Sequence, residues 1–138
     1  PGDERGQATG EGELVLVATL ALTRRALRDI EEIEAFSIEQ WGKRTANEYL
    51  NSIELALDRL RKNPDLLKSK EDISERFKFY RLKRHLLICT QREQRIYVLA
   101  VRHGAMDLPT RVAELEPTLI EEAEMLHQTF LKRKSKRR

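Results

Sequence analysis

Residues 76–107 constrain this chain more than any other stretch, because their pattern is that of an antiparallel meander. Phe77-Lys78-Phe79-Tyr80-Arg81-Leu82 alternates large apolar and basic residues, the period of a strand. His85-Leu86-Leu87-Ile88-Cys89-Thr90 is short, apolar and bulky. Arg95-Ile96-Tyr97-Val98-Leu99-Ala100-Val101 is dominated by β-branched and aromatic residues. The polar links between these runs are so short that neighbouring strands must be antiparallel. Between Arg76 and Arg102 stand eight Lys or Arg against one acid, Glu93. The sheet is therefore predicted to carry a basic face, ending in the polar cluster Arg102-His103-Gly104-Ala105-Met106-Asp107.

The segments around the meander supply its cover. Leu14 to Leu22 is continuously apolar and reads as a first strand, buried on both faces and so central. Thr23 is a good N-cap. Ala26, Ile30, Ile33 and Phe36 then mark one face of a helix whose other face is charged. Trp41-Gly42 ends that helix. A second helix follows, with a stripe of Ala46, Leu50, Ile53, Leu57 and Leu60, and closes at Asn63-Pro64. The two helices form a hairpin whose apolar stripes must lie over the sheet. Residues 65–75 read as a polar, Lys-rich loop. Beyond Asp107, Pro109 and Thr110 open another helical segment, and Pro117 is expected to break or kink it. Leu119, Ile120, Ala123, Leu126 and Phe130 resume a helical stripe that either waits for a partner or folds back on its own sheet. The order is β-α-α-β-β-β-α: an α+β fold with an N-terminal strand, an antiparallel helical hairpin on an antiparallel sheet of about four strands, and a C-terminal helix.

Length and charge set the limits. The 138 residues correspond to one domain, expected over 14–130, between a leader or tag remnant at 1–13 and a basic tail at 131–138. Residues 1–13 carry a net −3, residues 132–138 a net +6, and the body between them sums to zero. A basic tail is a contact for nucleic acid; its bland reading is a solvated end. No apolar run is long enough for a membrane span. A single cysteine, Cys89, excludes an internal disulfide and a cysteine-based zinc site. With no secretory pattern in the leader, the expected compartment is the cytoplasm. His85, His103 and His127 lack metal-ligand spacing, and there is no Gly-rich phosphate loop, so neither a metal nor a cofactor is implied.

Several local motifs together resemble the ParE branch of the RelE/ParE toxin superfamily of bacterial toxin–antitoxin modules. They are the strand-to-helix junction Leu22-Thr23-Arg24-Arg25-Ala26-Leu27-Arg28-Asp29-Ile30, the turn Trp41-Gly42 with Ala46 and Tyr49, and Leu60 with Asn63-Pro64. Arg84-His85-Leu86-Leu87-Ile88 matches the middle strand, and Val101-Arg102-His103-Gly104-Ala105-Met106-Asp107 the terminal signature, of which His103, Gly104, Met106 and Asp107 are the motif residues. The usual tyrosine after the middle strand's apolar pair is missing, since Ile88-Cys89-Thr90 stands there. The resemblance spans about residues 20 to 110. It implies a small toxin that inhibits growth, stabilises plasmids and is neutralised by a cognate antitoxin. ParE-type members are described as poisons of DNA gyrase and RelE-type members as ribosome-dependent mRNA endoribonucleases. A shared fold does not choose between them.

As an endoribonuclease, the chain would need proton-transfer groups and cations on the scissile phosphate. His85 and His103, with Arg76, Arg81, Arg84 and Arg102, are the available set. The bland reading makes His85 a cap at a strand's start, His103 a hydrogen-bonding turn residue and Asp107 a helix cap. The gyrase reading favours that assignment, leaves no catalytic residue, and puts the gyrase contact in the extension beyond Asp107. A third reading is an inactive relative that binds only its antitoxin or a nucleic acid. The antitoxin is expected to contact the basic sheet face through Phe77, Phe79 and Arg81, and the hairpin through Leu50, Ile53 and Leu57. Direct nucleic-acid contact is expected only through the basic sheet face or the tail.

Overall fold

The computed structural model describes residues 19–104 and 107–136. The chain runs β1 (Thr19–Leu22), α1 (Arg24–Trp41), α2 (Lys43–Lys62), a 3-10 turn (Pro64–Leu66), β2 (Lys68–Lys70), β3 (Ser74–Leu82), β4 (His85–Arg92), β5 (Arg95–His103) and α3 (Leu108–Lys136). This is the expected α+β order, with one strand more. The five strands lie in the order β1-β5-β4-β3-β2. The predicted meander is β3-β4-β5, paired antiparallel with Leu82 opposite His85 and Arg92 opposite Arg95. Lys83 and Glu93, in the two tight turns, take φ of 53° and 59°. That left-handed conformation is usually left to glycine or asparagine.

Three sequence expectations change. β1 is an edge strand and pairs with β5 in parallel, Leu20 beside Ile96, rather than sitting centrally. Its apolar character has another cause: Leu20 and Leu22 pack toward the hairpin and Ala21 toward α3, so both faces are covered although one edge is open. Residues 14–18 of the expected strand lie outside the described residues. The loop expected over 65–75 contains β2, whose Lys-Ser-Lys sequence has no apolar alternation and is held through its backbone to β3. Lysines on an edge strand also discourage pairing with other chains. Finally, Pro117 does not break α3, which is helical from Leu108 through Lys136. Ala113, whose carbonyl loses its donor to the proline, is on the exposed face, where water can serve it.

The sheet has a core on each side. The hairpin side gathers Ala26, Leu60, Leu67, Leu87, Cys89, Ile96, Val98 and Val101. The other side gathers Phe77, Phe79, Leu86, Ile88, Tyr97 and Leu99 under Leu108, Val112, Leu119 and Ala123 of α3. The late helical stripe therefore folds back on its own sheet. Burial on both faces is why β4 and β5 read as unbroken apolar runs. Register shifts beside Cys89, where Ile88 faces Ala100 and Cys89 faces Val98, leaving Leu99 as the extra residue of a bulge.

The predicted basic face is divided by this arrangement. Arg25 of α1 forms a two-pronged bond to Glu122 of α3, at 2.9 and 3.0 Å. Arg92 meets Glu124 at 3.0 Å and Arg76 meets Glu116 at 3.5 Å. α3 thus brings its own acids to one arginine each of α1, β3 and β4.

Candidate functional site

A cavity of about 310 Å³ opens where the hairpin meets the ends of β4 and β5. Local chemistry shapes both walls. Thr23 caps α1 by accepting from the Ala26 N–H at 3.1 Å, and its hydroxyl donates to the Leu99 carbonyl at 3.1 Å. This bond fixes α1 against β5. Gly42, at φ 90°, lets α2 leave α1 at once and places Tyr49 opposite α1. Phe36 and Trp41, at 56% and 46% exposure, pack edge to face with centroids 5.8 Å apart and form an apolar lip. Phe36 was expected in the core stripe of α1, but the stripe has already left the sheet at that turn.

The polar floor is a connected set. Asp29, only 8% exposed, accepts from the Val101 N–H at 2.9 Å and faces Arg102 at 3.9 Å. Burial raises its pKa; the Val101 bond and the Arg102 charge oppose that. The Tyr49 hydroxyl lies 2.5 Å from His85 Nδ1. The His85 and His103 rings meet edge to face at 5.4 Å. Arg84 stacks its guanidinium 4.6 Å above the Trp41 ring. Burial, His103 and Arg84 together lower the His85 pKa to about 4, so its ring is neutral at pH 7. Burial likewise raises the thiol pKa of Cys89, which packs as a small hydrophobe.

Of the six ribonuclease candidates, the fold brings four together: Arg84, His85, Arg102 and His103 line the cavity. Arg76 points to α3, and Arg81 lies against Gly104, where an added Cβ would meet its Nη1 at 2.6 Å. Asp107 stands just before α3, and its carbonyl accepts from the Arg111 N–H at 3.0 Å. Met106 lies outside the described residues. Of the antitoxin candidates, Phe77 and Phe79 are buried under α3 and Ile53 in the hairpin, so none of the three is open to a partner here. Leu50 and Leu57 are half-buried, and Arg81 is exposed. Sequence reasoning passed over Asp29 as part of this site, although its signal was present. Asp29 is an acid inside the apolar stripe Ala26, Ile30, Ile33, where a solvated charge has no place.

No group of three or more His, Cys, Asp or Glu positioned for a metal occurs among the described residues. No described helix is long and apolar enough to cross a membrane.

Helical hairpin, meander and parallel first strand define a small α+β domain. A chain in the structure of the chromosomal ParDE toxin–antitoxin system from P. aeruginosa superposes with a TM-score of 0.56 at 15% identity, covering 63% of this chain and 96% of that one. A chain of the RelBE2 toxin–antitoxin complex from Mycobacterium tuberculosis superposes with a TM-score of 0.49 at 17% identity, covering 67% and 98%. Residues 20–108 match the family model of the ParE toxin of the type II toxin–antitoxin system parDE, and the chain belongs to that family. The Toxin ParE of Escherichia coli is 27% identical over 94 residues, 67% of this chain and 91% of the relative. α3 begins at the last residue of the matched region, so nearly all of it is an addition to the family domain.

Proposed function

We propose that this chain is the toxin of a type II pair, acting in the cytoplasm by binding DNA gyrase, without catalysis of its own, and silenced by a cognate antitoxin. One observation carries the choice against RNA cleavage: the candidate catalytic groups already serve as struts. His85 is tied to Tyr49 and neutral, so it cannot donate a proton as an acid at pH 7. Arg102 faces Asp29, Arg84 covers Trp41, and Arg76 is held by Glu116. These contacts join hairpin, sheet and α3. Each of these side chains thus has a packing role between elements of the fold.

The antitoxin's docking site is the cavity between the hairpin and the sheet. Its lip of Phe36 and Trp41 is exposed and apolar, and its rim carries Arg84 and Arg102. This suits an amphipathic segment with an apolar anchor beside an acid. The E. coli relative bears the name Toxin ParE, and the P. aeruginosa neighbour belongs to a ParDE system; both support a paired antitoxin.

The test is plasmid supercoiling by purified gyrase with increasing amounts of this protein. Inhibition that the antitoxin relieves is the expected result. A flat response, with mRNA cut on ribosomes and the cutting lost in Arg84→Ala, would transfer the function to the cluster of His85, His103 and their arginines.

A further inference from the structure

We infer that the cations around the β3–β4 turn, Lys78, Arg81, Lys83 and Arg84, form a binding surface for the phosphate backbone of duplex DNA; preferring DNA over RNA rests on the gyrase reading above. α3 neutralises only part of the basic face, since Glu116, Glu122 and Glu124 take Arg76, Arg25 and Arg92. The remainder runs from Lys78 to the turn. All four of these side chains are exposed. None of them pairs with an acid among the described residues. Between Arg76 and Arg102 the one acid is Glu93, which sits in the β4–β5 turn and is paired with Arg95 at 3.2 Å. On the helices nearby, Glu48 pairs with Arg44 at 3.9 Å, Asp29 is buried against Arg102, and Glu32 shares the cavity lining with Arg84.

The fold positions these cations. Arg81 lies against Gly104 and donates from Nη1 to the Lys83 carbonyl at 3.3 Å. Lys83, held at φ 53°, places its Nζ 5.7 Å from the centroid of the Tyr49 ring. Arg84 stacks on Trp41, and a guanidinium laid on a ring keeps its N–H edge for a phosphate. From Lys78 to Lys83 the strand runs about 17 Å, at 3.4 Å per residue. Duplex DNA of that length carries about ten phosphate charges, and one of its strands alone half as many.

The same contacts disfavour other anions. A single strand is held by stacking its bases on aromatic faces, and the Tyr49 and Trp41 rings beside the turn already lie under Lys83 and Arg84. A protein partner needs an apolar anchor at the centre of its contact. From Lys78 to Arg84 no apolar side chain is exposed: Phe79 is buried, and Tyr80 and Leu82 are half-buried. A membrane surface lacks the same anchor. A duplex, whose bases stack on one another, is held through its backbone alone. Bound phosphates would hold the toxin on the substrate of the enzyme it inhibits.

The experiment is fluorescence anisotropy of a labelled 30-base-pair duplex with the full chain, over a series of KCl concentrations. Changing Lys78, Arg81, Lys83 and Arg84 together to glutamine should weaken binding at 50 mM KCl by roughly tenfold or more, and make the log–log salt slope shallower by about 3.6. Residues 132–138 stay intact in every variant, so their charge does not enter the difference. A control with the same loss of charge, Arg24→Gln, Arg28→Gln, Arg59→Gln and Lys62→Gln on the helical hairpin, should bind within about threefold of the wild type. Should losing Arg84 from Trp41 unfold the four-site variant, Lys78→Gln with Arg81→Gln decides, since both side chains are exposed and neither lines the cavity. That pair should make the slope shallower by about 1.8. Unchanged binding in the turn variants would overturn the proposal, as would an equal loss in the control. So would binding to single-stranded RNA, poly-glutamate or anionic vesicles as tight as to the duplex. No gyrase is present, so the two readings fail separately. A chain that blocks supercoiling, but whose turn variants bind duplex as the wild type does, overturns this inference alone. One that binds duplex through the turn but leaves supercoiling untouched overturns the gyrase reading alone.

Discussion

The Tyr97 hydroxyl and His127 Nδ1 meet at 2.7 Å between β5 and α3, buried and with rings 5.7 Å apart. This polar contact lies at the edge of an apolar interface. Removing one partner strands the other. Tyr97→Phe should cost about 1–3 kcal/mol in urea unfolding, while Tyr97→Phe with His127→Leu, which removes both polar groups, should recover much of it. Equal losses in the single and double variants would mean that the bond does not anchor α3.

His85 makes stability depend on pH. Its ring titrates near 6.5 when unfolded and near 4 in the fold. Between those values the unfolded chain binds the extra proton, so the contribution is complete above about pH 6.5 and is lost as pH falls toward 4. The ring is half-buried, and screening reduces the effect to about 1–2 kcal/mol. The comparison is wild type against His85→Gln in denaturant melts at pH 7.5 and 5. The wild-type advantage should shrink on acidification, and a constant gap would refute the assignment. Using the difference removes the contribution of Asp29, whose raised pKa acts in the opposite sense.

Two glycines should respond in an order that space alone would reverse. Gly42 has nothing within 4 Å of an added Cβ, but its φ of 90° and ψ of 166° belong to glycine. Gly42→Ala should cost about 1–3 kcal/mol. At Gly104 an added Cβ would meet Arg81 Nη1 at 2.6 Å, yet that is the end of a flexible, exposed side chain. Gly104→Ala should cost less than about 1 kcal/mol, because Arg81 can swing away. Thermal melts of the two variants decide the order.

Truncation after Asp107 was the natural way to remove a gyrase contact from the extension, and the fold makes it a poor one. It would uncover Phe77, Phe79, Tyr97 and Leu99 by removing Leu108, Val112, Leu119 and Ala123. Each lost large side chain is worth about 1.5–3 kcal/mol, against a total stability of about 5–15 kcal/mol. The shortened chain should aggregate or lose its near-ultraviolet circular dichroism. A cooperative melt from it would show that the family domain stands without α3.

Sequence alone determined the meander, the helical hairpin and the junctions at Thr23, Gly42 and Pro64. Each rests on signals within a few residues: alternation, a 3-4 stripe, a cap, a link too short for a crossover. The family motifs were legible for the same reason, since three lie at those junctions and the other two at the start of β4 and the end of β5. Tertiary structure alone decided where α3 goes, which arginines its acids meet, and that Asp29, Tyr49 and His85 belong to one site. These facts depend on partners far apart in the chain, such as Val101 with Asp29, 72 residues away, and Arg25 with Glu122, 97 residues away. The unbroken apolar runs of β4 and β5 did require a cover on both faces of the sheet. Only packing could show that the second cover was the chain's own helix, because an amphipathic stripe specifies that a face must be buried and not what buries it.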